Sequence, residues 1–227
     1  MADTFRIDHH FLGEGSLSAA GDESGSQFIQ AITGSGPPTV GYVSAVDAVG
    51  VLQAALSADS EVQNACAYSG DVLGYDIERL KSVEFRARLS TALGTTATTM
   101  VAFGLTSARN DAIDSITEAL LFRVLGDGSG AVLVESDDGT NDNNDVATGE
   151  TLATTWKRFV IDFTQGLSDV RFYMDGGYGL KRVAESTTFS VANYTAGLQF
   201  FAQIQKAANT NVGTLQIDRF SVEFKEL

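Results

Sequence analysis

Apolar and polar residues alternate most regularly in residues 155–175. Side chains of a β-strand point alternately to its two faces, so this period of two predicts strands with one buried face. A short link containing Gly, Ser and Asp divides the segment, and it joins the two halves as antiparallel neighbours. The apolar positions of this predicted pair are Phe159, Ile161, Phe163, Val170, Phe172 and Met174.

The same alternation recurs along the chain, for example at residues 5–11 and 83–89. In the last predicted strand, residues 214–224, the apolar parity changes partway, which predicts a bulge near Asp218 and Arg219 or a bend between sheets. Many short strands without a long helix predict an all-β fold. We expect two antiparallel sheets packed face to face as a β-sandwich.

Three segments depart from this pattern. Gly50, within a pair of predicted strands, is interpreted as a turn or a bulge. Residues 111–119 have helical spacing over a short length, which fits one helical turn and a loop over the sheet equally well. The segment of residues 136–150 is rich in Asp and Asn, and it is interpreted as an acidic loop that ends a hairpin.

The length of 227 residues suits one domain, because β-sandwiches of this size are common. We predict a single domain over residues 1–227. Within it, residues 1–38 are predicted to form a terminal strand followed by a flexible loop or arm. Residues 13–26 are too polar to pack well by themselves, so they form a long loop or an arm that orders against a partner.

Composition excludes several classes of function. Apolar residues make up 44% of the chain, enough for a core, and the formal net charge is −14. That charge opposes non-specific binding to nucleic acids and anionic membranes, so neither is an expected partner. The N-terminus shows no signal peptide, and no apolar run is long enough to span a bilayer. We therefore expect synthesis in a cytoplasm.

Few residues offer catalytic or redox chemistry. Cys66 is the single cysteine, so it has no disulfide partner, and we predict that it is a small buried or half-buried residue rather than a reactive thiol. The two histidines, His9 and His10, are adjacent on a predicted strand and therefore face opposite ways. They cannot chelate one ion together, and no Gly-x-Ser-x-Gly or phosphate-binding loop motif is present. No cofactor is expected.

One acidic segment is a candidate for calcium, because oxygen-rich loops bind Ca²⁺. Its candidate ligands are Asp137, Asp138, Asp142 and Asp145. Their order does not match an EF-hand, which needs a glycine where Asp142 stands. A solvated loop without a metal is the default interpretation.

Four segments together resemble the concanavalin-type lectin and glucanase jelly roll: residues 82–89, 155–163, 170–176 and 215–224. The likeness covers about residues 40–227 and lies in strand patterns. It implies a concanavalin-like sandwich.

Glucanases of this fold carry a third acid after Glu-x-Asp on one strand, which places the acids on one face. Here Glu135-Ser-Asp137 is followed by Gly139 and Thr140, so the catalytic motif is broken. The resemblance therefore does not carry glycoside hydrolysis to this chain, and we expect no enzymatic activity.

More narrowly, Val-Leu-Val-Glu-Ser-Asp-Asp-Gly-Thr, Asp-Val-Ala-Thr-Gly and Gln-Ile-Gln-Lys-Ala are similar to segments of jelly-roll structural proteins of tailed bacteriophages. The resemblance implies a decoration or cement protein at the capsid surface of a virion. Its expected partners are the major capsid protein and copies of itself, as a homotrimer or another homo-oligomer. The segment through Pro38 would be the arm that contacts neighbouring subunits.

The alternative is a lectin-like module on a virion or tail fibre, which binds surface glycans. It predicts a face that presents Trp156, Tyr173 or Tyr178, because aromatic rings stack on sugars. A glycoside hydrolase is the third hypothesis, and it requires two acids across a cleft.

Overall fold

A computed structural model describes residues 5–11, 17–19, 28–45, 48–70, 74–175, 177–194 and 197–225. The described residues form seventeen strands and no α-helix. The strands are β1 (Phe5–His9), β2 (Ser18–Ala19), β3 (Ile29–Thr33), β4 (Thr39–Ala45), β5 (Ala48–Ala55), β6 (Glu61–Tyr68), β7 (Tyr75–Asp76), β8 (Leu80–Thr91), β9 (Met100–Thr106), β10 (Glu118–Leu125), β11 (Ala131–Asp138), β12 (Asp142–Thr151), β13 (Lys157–Asp162), β14 (Arg171–Asp175), β15 (Leu180–Val183), β16 (Gly197–Asn209) and β17 (Thr214–Phe224). Two short 3-10 turns lie at Ile77–Arg79 and Ile113–Ser115.

The strands form two sheets that pack as a sandwich. An eight-stranded sheet has the order β15-β14-β13-β8-β17-β5-β4, with β1 also paired to β17. A nine-stranded sheet has the order β12-β11-β10-β9-β16-β6-β3-β2, with β7 paired to β16. All pairs are antiparallel except β2 with β3. The predicted all-β, two-sheet architecture is confirmed.

Phenylalanine rings from both sheets fill the space between them. The ring centroid of Phe103, on β9, lies 4.9 Å from that of Phe159, on β13. Phe200, on β16, lies 4.8 Å from Phe220, on β17. All four are fully buried, and burial of such a side chain contributes about 1.5–3 kcal/mol. Interdigitated rings therefore fix the sheets face to face and leave each with one outer face.

The pair predicted from residues 155–175 is confirmed as β13 and β14. Phe159 lies opposite Met174, and Ile161 opposite Phe172, in an antiparallel register. All six apolar positions of the predicted pair are buried. The sequence alternation therefore reports the inner face correctly.

The predicted bulge in the last strand is also confirmed. The register between β17 and β8 shifts between Ile217 and Arg219. Asp218 is the additional residue, and its carboxylate pairs with Arg86 of β8. The bulge keeps Ile217 and Phe220 both in the core although they differ in parity.

The bulge interpretation of Gly50 is confirmed, because the register of β4 with β5 shifts between Val43, opposite Val51, and Ala45, opposite Ala48. A Cβ at Gly50 would also come 2.1 Å from the carbonyl oxygen of Phe11, so another backbone segment passes close to this glycine. One local prediction needs correction. Residues 29–33, placed within the predicted loop or arm of residues 1–38, form β3 and pair with β6. Most of residues 13–26 lie outside the described residues.

Candidate functional site

A row of planar side chains crosses the outer face of the eight-stranded sheet. Gln53, Gln216 and Arg88 lie on adjacent strands in register. Gln216 Nε2 donates to Gln53 Oε1 at 2.8 Å, and Arg88 Nε donates to Gln216 Oε1 at 2.8 Å. Trp156 completes the row, with the Arg88 guanidinium 4.3 Å from its ring centroid. We call these four residues the polar ladder.

The pairing of β13 with β8 sets the position of Trp156. Lys157 lies opposite Ala87, so the preceding residue comes beside Arg88. A second guanidinium, that of Arg86, lies 5.0 Å from the same indole centroid. Cations over an indole ring stabilise it by about 0.5–1 kcal/mol each at exposed sites. Trp156 is half-buried, so part of its surface remains open to solvent while the ring is held in place.

An ion-pair network adjoins the polar ladder. Arg158 Nε and Nη2 donate to the two carboxylate oxygens of Glu84, at 3.0 and 2.9 Å. Arg219 lies 3.7 Å from Glu84, and Arg86 pairs with Asp218. The hydrogen bond that Arg158 donates to Glu84 raises the pKa of Arg158. These contacts restrict the arginine side chains around Trp156 to few conformations.

The three aromatic residues predicted to contact glycans do not form one continuous strip. Tyr178 is fully exposed in the turn between β14 and β15. The register of Phe159 with Met174 brings that turn to the end of the sheet where Trp156 lies. Tyr173 is half-buried farther along the same face, opposite Val160. Trp156 and Tyr178 thus share one end, and Tyr173 lies beside it.

The outer face of the nine-stranded sheet is closed by residues 107–117, which we call the covering loop. Asn64 Nδ2 donates to the carbonyl oxygen of Asp111 at 2.7 Å, and Gln203 Nε2 donates to the same oxygen at 3.1 Å. Ile113 of the loop is fully buried. The apolar cluster that includes this loop consists of Ala31, Cys66, Met100, Ala102, Ile113, Ile116, Ala119, Leu121 and Phe201. The segment with helical spacing is therefore a loop over the sheet that contains a short 3-10 turn.

A buried arginine anchors the loop. Arg123, on β10, is 3% exposed and pairs with Glu135 of β11. Its other contacts are with Asp114 of the covering loop, at 2.6 Å, and with Asp145, at 3.3 Å. Burial lowers the pKa of Arg123, but Glu135, Asp145 and Asp114 together more than offset this effect, so the pKa is raised. We call these four residues the Arg123 cluster.

The positions of Glu135 and Asp137 on β11 show whether these two acids could serve glycoside hydrolysis. Glu135 and Asp137 have the same parity on β11, yet Glu135 is 3% exposed and bonded to Arg123. Asp137 accepts a hydrogen bond from the backbone N–H of Gly139 at 2.7 Å, which stabilises a turn. Neither carboxylate is positioned to flank a bound substrate.

A cleft of about 150 Å³ opens at one end of the sandwich, between the β10–β11 turn and residues 152–154. Leucines at positions 89, 93, 125 and 152 supply most of its apolar wall. None of its described lining residues is an aspartate or a glutamate. This cleft therefore lacks the acid pair that glycoside hydrolysis requires.

The candidate calcium ligands serve other purposes. The predicted loop of residues 136–150 is mostly strand β12, paired with β11. Asp138 accepts backbone N–H groups of Thr140, Asn141 and Asn193, whereas Asp145 points to Arg123. Among the described residues, no group of three or more His, Cys, Asp and Glu side chains is arranged to hold a metal ion.

Cys66 is buried and free, as predicted, and burial raises the pKa of its thiol to about 12. His9 stacks on Phe220, with ring centroids 5.5 Å apart, and burial lowers its pKa. Neither side chain is prepared for nucleophilic chemistry.

The polar ladder was not predicted from the sequence. Gln53, Arg88 and Gln216 each appear there only as polar positions between apolar ones. The available signal was their outward parity in three strands. Their adjacency depends on the order β5-β17-β8, which local pattern does not determine.

No protein-family model and no curated protein sequence matches the chain. Solved structures match it by fold. An endo-acting O-glycanase of the human gut microbiota has a TM-score of 0.61 at 10% identity, over 97% of this chain and 99% of that one. A native glycosidic hydrolase has a TM-score of 0.60 at 12% identity, over 98% and 97%.

A lectin domain is similar as well. The carbohydrate recognition domain of Emp47p has a TM-score of 0.52 at 12% identity, over 84% of this chain and 89% of that one. From these structural matches, the chain has a concanavalin-like jelly-roll fold, which both carbohydrate-binding domains and glycosidases share.

No helix in the described part of the chain is long and apolar enough to cross a membrane.

Proposed function

We propose that the chain is a non-catalytic carbohydrate-binding module, and that it binds glycans through the polar ladder and Tyr178. One observation carries the proposal. The ring of Trp156 is held by two guanidiniums at an open end of the sheet, in a row with two hydrogen-bonding amides. An aromatic face beside planar polar groups suits sugars, which have apolar ring faces and hydroxyl edges.

The fold neighbours support this class of ligand. One is a carbohydrate recognition domain and two are named for acting on glycans. We favour binding over hydrolysis because Glu135 is engaged by Arg123 beneath the covering loop. Attachment to a virion, as a capsid decoration protein or on a tail fibre, stays a prediction. None of the three neighbours is a capsid decoration protein.

The single tryptophan allows a direct test, since fluorescence of the chain reports on Trp156 alone. Titration with a panel of oligosaccharides should give a saturable change in emission. By calorimetry, Trp156→Ala should weaken the binding by about tenfold, equivalent to 1.4 kcal/mol. Phe5→Ala is the matched control, because Phe5 is an exposed aromatic residue away from the ladder.

Unchanged affinity in Trp156→Ala and Tyr178→Ala would refute binding at this site. A panel without any bound glycan would refute the function. Incubation with purified capsids, followed by sedimentation, tests the virion prediction separately.

A further inference from the structure

The cleft between the β10–β11 turn and residues 152–154 reaches into the core of the sandwich. Leu89 and Leu152 line it, although their surfaces are only 2% and 1% exposed. Its volume is about 150 Å³. Protein interiors are close-packed and contain few voids larger than a water molecule. A space of this size, open to solvent, therefore differs from ordinary imperfect packing.

Small residues keep the cleft open. Gly128 and Gly130, in the β10–β11 turn, have φ angles of +82° and +66°, in the left-handed region that favours glycine. A Cβ at Gly130 would come 2.8 Å from the carbonyl oxygen of Leu152, another lining residue. The Ser129 hydroxyl donates to Asp127 Oδ1 at 2.6 Å, so it is held within the turn. The turn therefore cannot place a large side chain at either glycine without strain.

The lining of the cleft is uncharged, although the chain has a net charge of −14. Among its described lining residues, the side-chain polar atoms are the hydroxyls of Ser129 and Thr154. An ionised group that entered the cleft would lose its hydration without gaining a charged partner, which is strongly unfavourable. The cleft therefore suits an uncharged and mainly apolar group.

The volume limits this group to about one ring. Pockets that enclose a drug-sized ligand have about 300–1,000 Å³. An apolar cavity of about 150 Å³ in another protein accepts benzene. The cleft, at about 150 Å³, therefore fits a phenyl-sized group and not a whole oligosaccharide.

The cleft adjoins the polar ladder. Thr154 lines the cleft and precedes Trp156 by two residues, which span at most about 7 Å. Leu89 N donates to the carbonyl oxygen of Ala153 at 2.9 Å, and this bond fixes the segment at the end of β8, next to Arg88. A sugar stacked on Trp156 can therefore extend a substituent around the end of the sheet into the cleft.

We infer that the cleft binds an uncharged apolar group of about phenyl size, carried by the glycan that stacks on Trp156. The inference rests on the proposed carbohydrate-binding function and names the class of its ligand, a glycan with an aryl or branched acyl substituent. Burial of that substituent removes apolar surface from water, so it adds affinity that an unsubstituted sugar lacks.

Benzene tests the cleft by itself. In protein with isotope-labelled leucine methyl groups, nuclear magnetic resonance should show benzene-dependent shifts at the four leucines of the lining. The methyl resonances of Leu198, a buried leucine outside the lining, should not shift.

Paired glycosides test the link to the polar ladder. Calorimetry compares the methyl and phenyl β-D-glycosides of glucose, galactose, mannose and N-acetylglucosamine. For at least one sugar, the phenyl glycoside should bind about tenfold tighter or more than the methyl glycoside, because only its ring can enter the cleft.

A substitution in the cleft locates the phenyl group. Ala92 is an exposed lining residue, so Ala92→Phe should occupy the cleft and abolish most of the phenyl advantage, while binding of the methyl glycoside stays unchanged. Ala192→Phe is the matched control and should keep the full advantage, because Ala192 is exposed in a turn outside the lining. Urea unfolding with a native-like midpoint verifies that both variants are folded.

Benzene that shifts none of the four leucines, or a phenyl advantage that persists in Ala92→Phe, would overturn the inference and leave carbohydrate binding intact. The absence of any phenyl advantage, with binding in the oligosaccharide panel, has the same meaning. Failure of every glycoside and of the panel would overturn both proposals, even if benzene enters the cleft.

Discussion

The outer face of the eight-stranded sheet leaves its arginines partly open to solvent, whereas the outer face of the nine-stranded sheet encloses Arg123 beneath the covering loop. The side chain of Arg158 is 45% exposed, and that of Arg123 is 4% exposed. Both pair with a glutamate of the adjacent strand. Solvent access is what separates them.

Burial changes what an ion pair does. Desolvation makes removal of one partner costly on the closed face, while water screens the same change on the open face. The Arg123 cluster therefore serves the stability of the loop. The arginines near Trp156 remain accessible to a ligand at little expense in stability.

Labelling of the Cys66 thiol is expected to show the largest effect, as a difference in rate between the native and the denatured protein. Its thiol lies in the cluster under the covering loop, and its pKa of about 12, against 9.0 for a model thiol, reduces the thiolate fraction about a thousandfold. We expect labelling by a thiol reagent at pH 8 to be at least about a thousandfold slower in the native protein than in denaturant. Rapid native labelling would show that the loop does not close this face.

Arg123→Leu tests the buried pair. The substitution leaves Glu135 buried without its partner, so the free energy of unfolding should fall by about 3–5 kcal/mol. Urea denaturation measures the change. The double variant Arg123→Leu/Glu135→Leu should recover much of it, since no uncompensated buried charge then remains and Asp114 and Asp145 are open to solvent. A loss below 1 kcal/mol in the single variant would contradict the structural role assigned to the cluster.

Ile113→Ala tests the apolar contacts of the covering loop. Ile113 is fully buried, and truncation of such a side chain costs about 2–5 kcal/mol when its surroundings do not collapse. The labelling rate of Cys66 should rise in this variant. Tryptophan fluorescence and binding at the polar ladder should not change, because the two sites lie on opposite sheets.

Asp8→Asn tests an exposed pair and should have the smallest effect. Asp8 bonds Arg6 at 3.0 Å on the open face, and this bond lowers the pKa of Asp8. A lowered pKa stabilises the fold above the ordinary aspartate pKa near 4, and the contribution is lost as pH falls through the lowered value. We expect a loss of about 0.2–1 kcal/mol at pH 7, a smaller loss in 1 M NaCl, and a loss that declines as the pH falls below the ordinary aspartate pKa.

The sequence was most informative where one face of a strand is buried. Alternation in β13 and β14 identified their inner residues, and the parity change in β17 located the bulge at Asp218. Residues 142–151 gave no such signal. They form an edge strand with exposed polar residues on both sides, held largely by pairing with β11, and Asn and Asp are rare in strands.

The candidate site was only partly predictable for a different reason. Trp156 and Tyr178 stood out as aromatic residues near the same hairpin, and their placement at one end follows from local pairing. Gln53 and Gln216 are separated by 163 residues and meet through long-range strand order. Arg123 showed the reverse problem. A charged residue at an outward position of a strand predicts contact with solvent. Arg123 is buried because the covering loop packs over it, and the sequence pattern of that loop does not resemble that of a core element.

The bulge in β17 determines which changes of chain length this strand tolerates. Ile217 lies opposite Ala87, Arg219 opposite Arg86 and Phe220 opposite Phe85, so deletion of Asp218 would leave a regular register in which Ile217, Phe220 and Val222 still face the core. Deletion of Ser221 would instead turn every later residue to the other face, with Val222 towards water and Glu223 towards the aromatic core. The strand should accordingly accept the loss of residue 218 far better than the loss of residue 221.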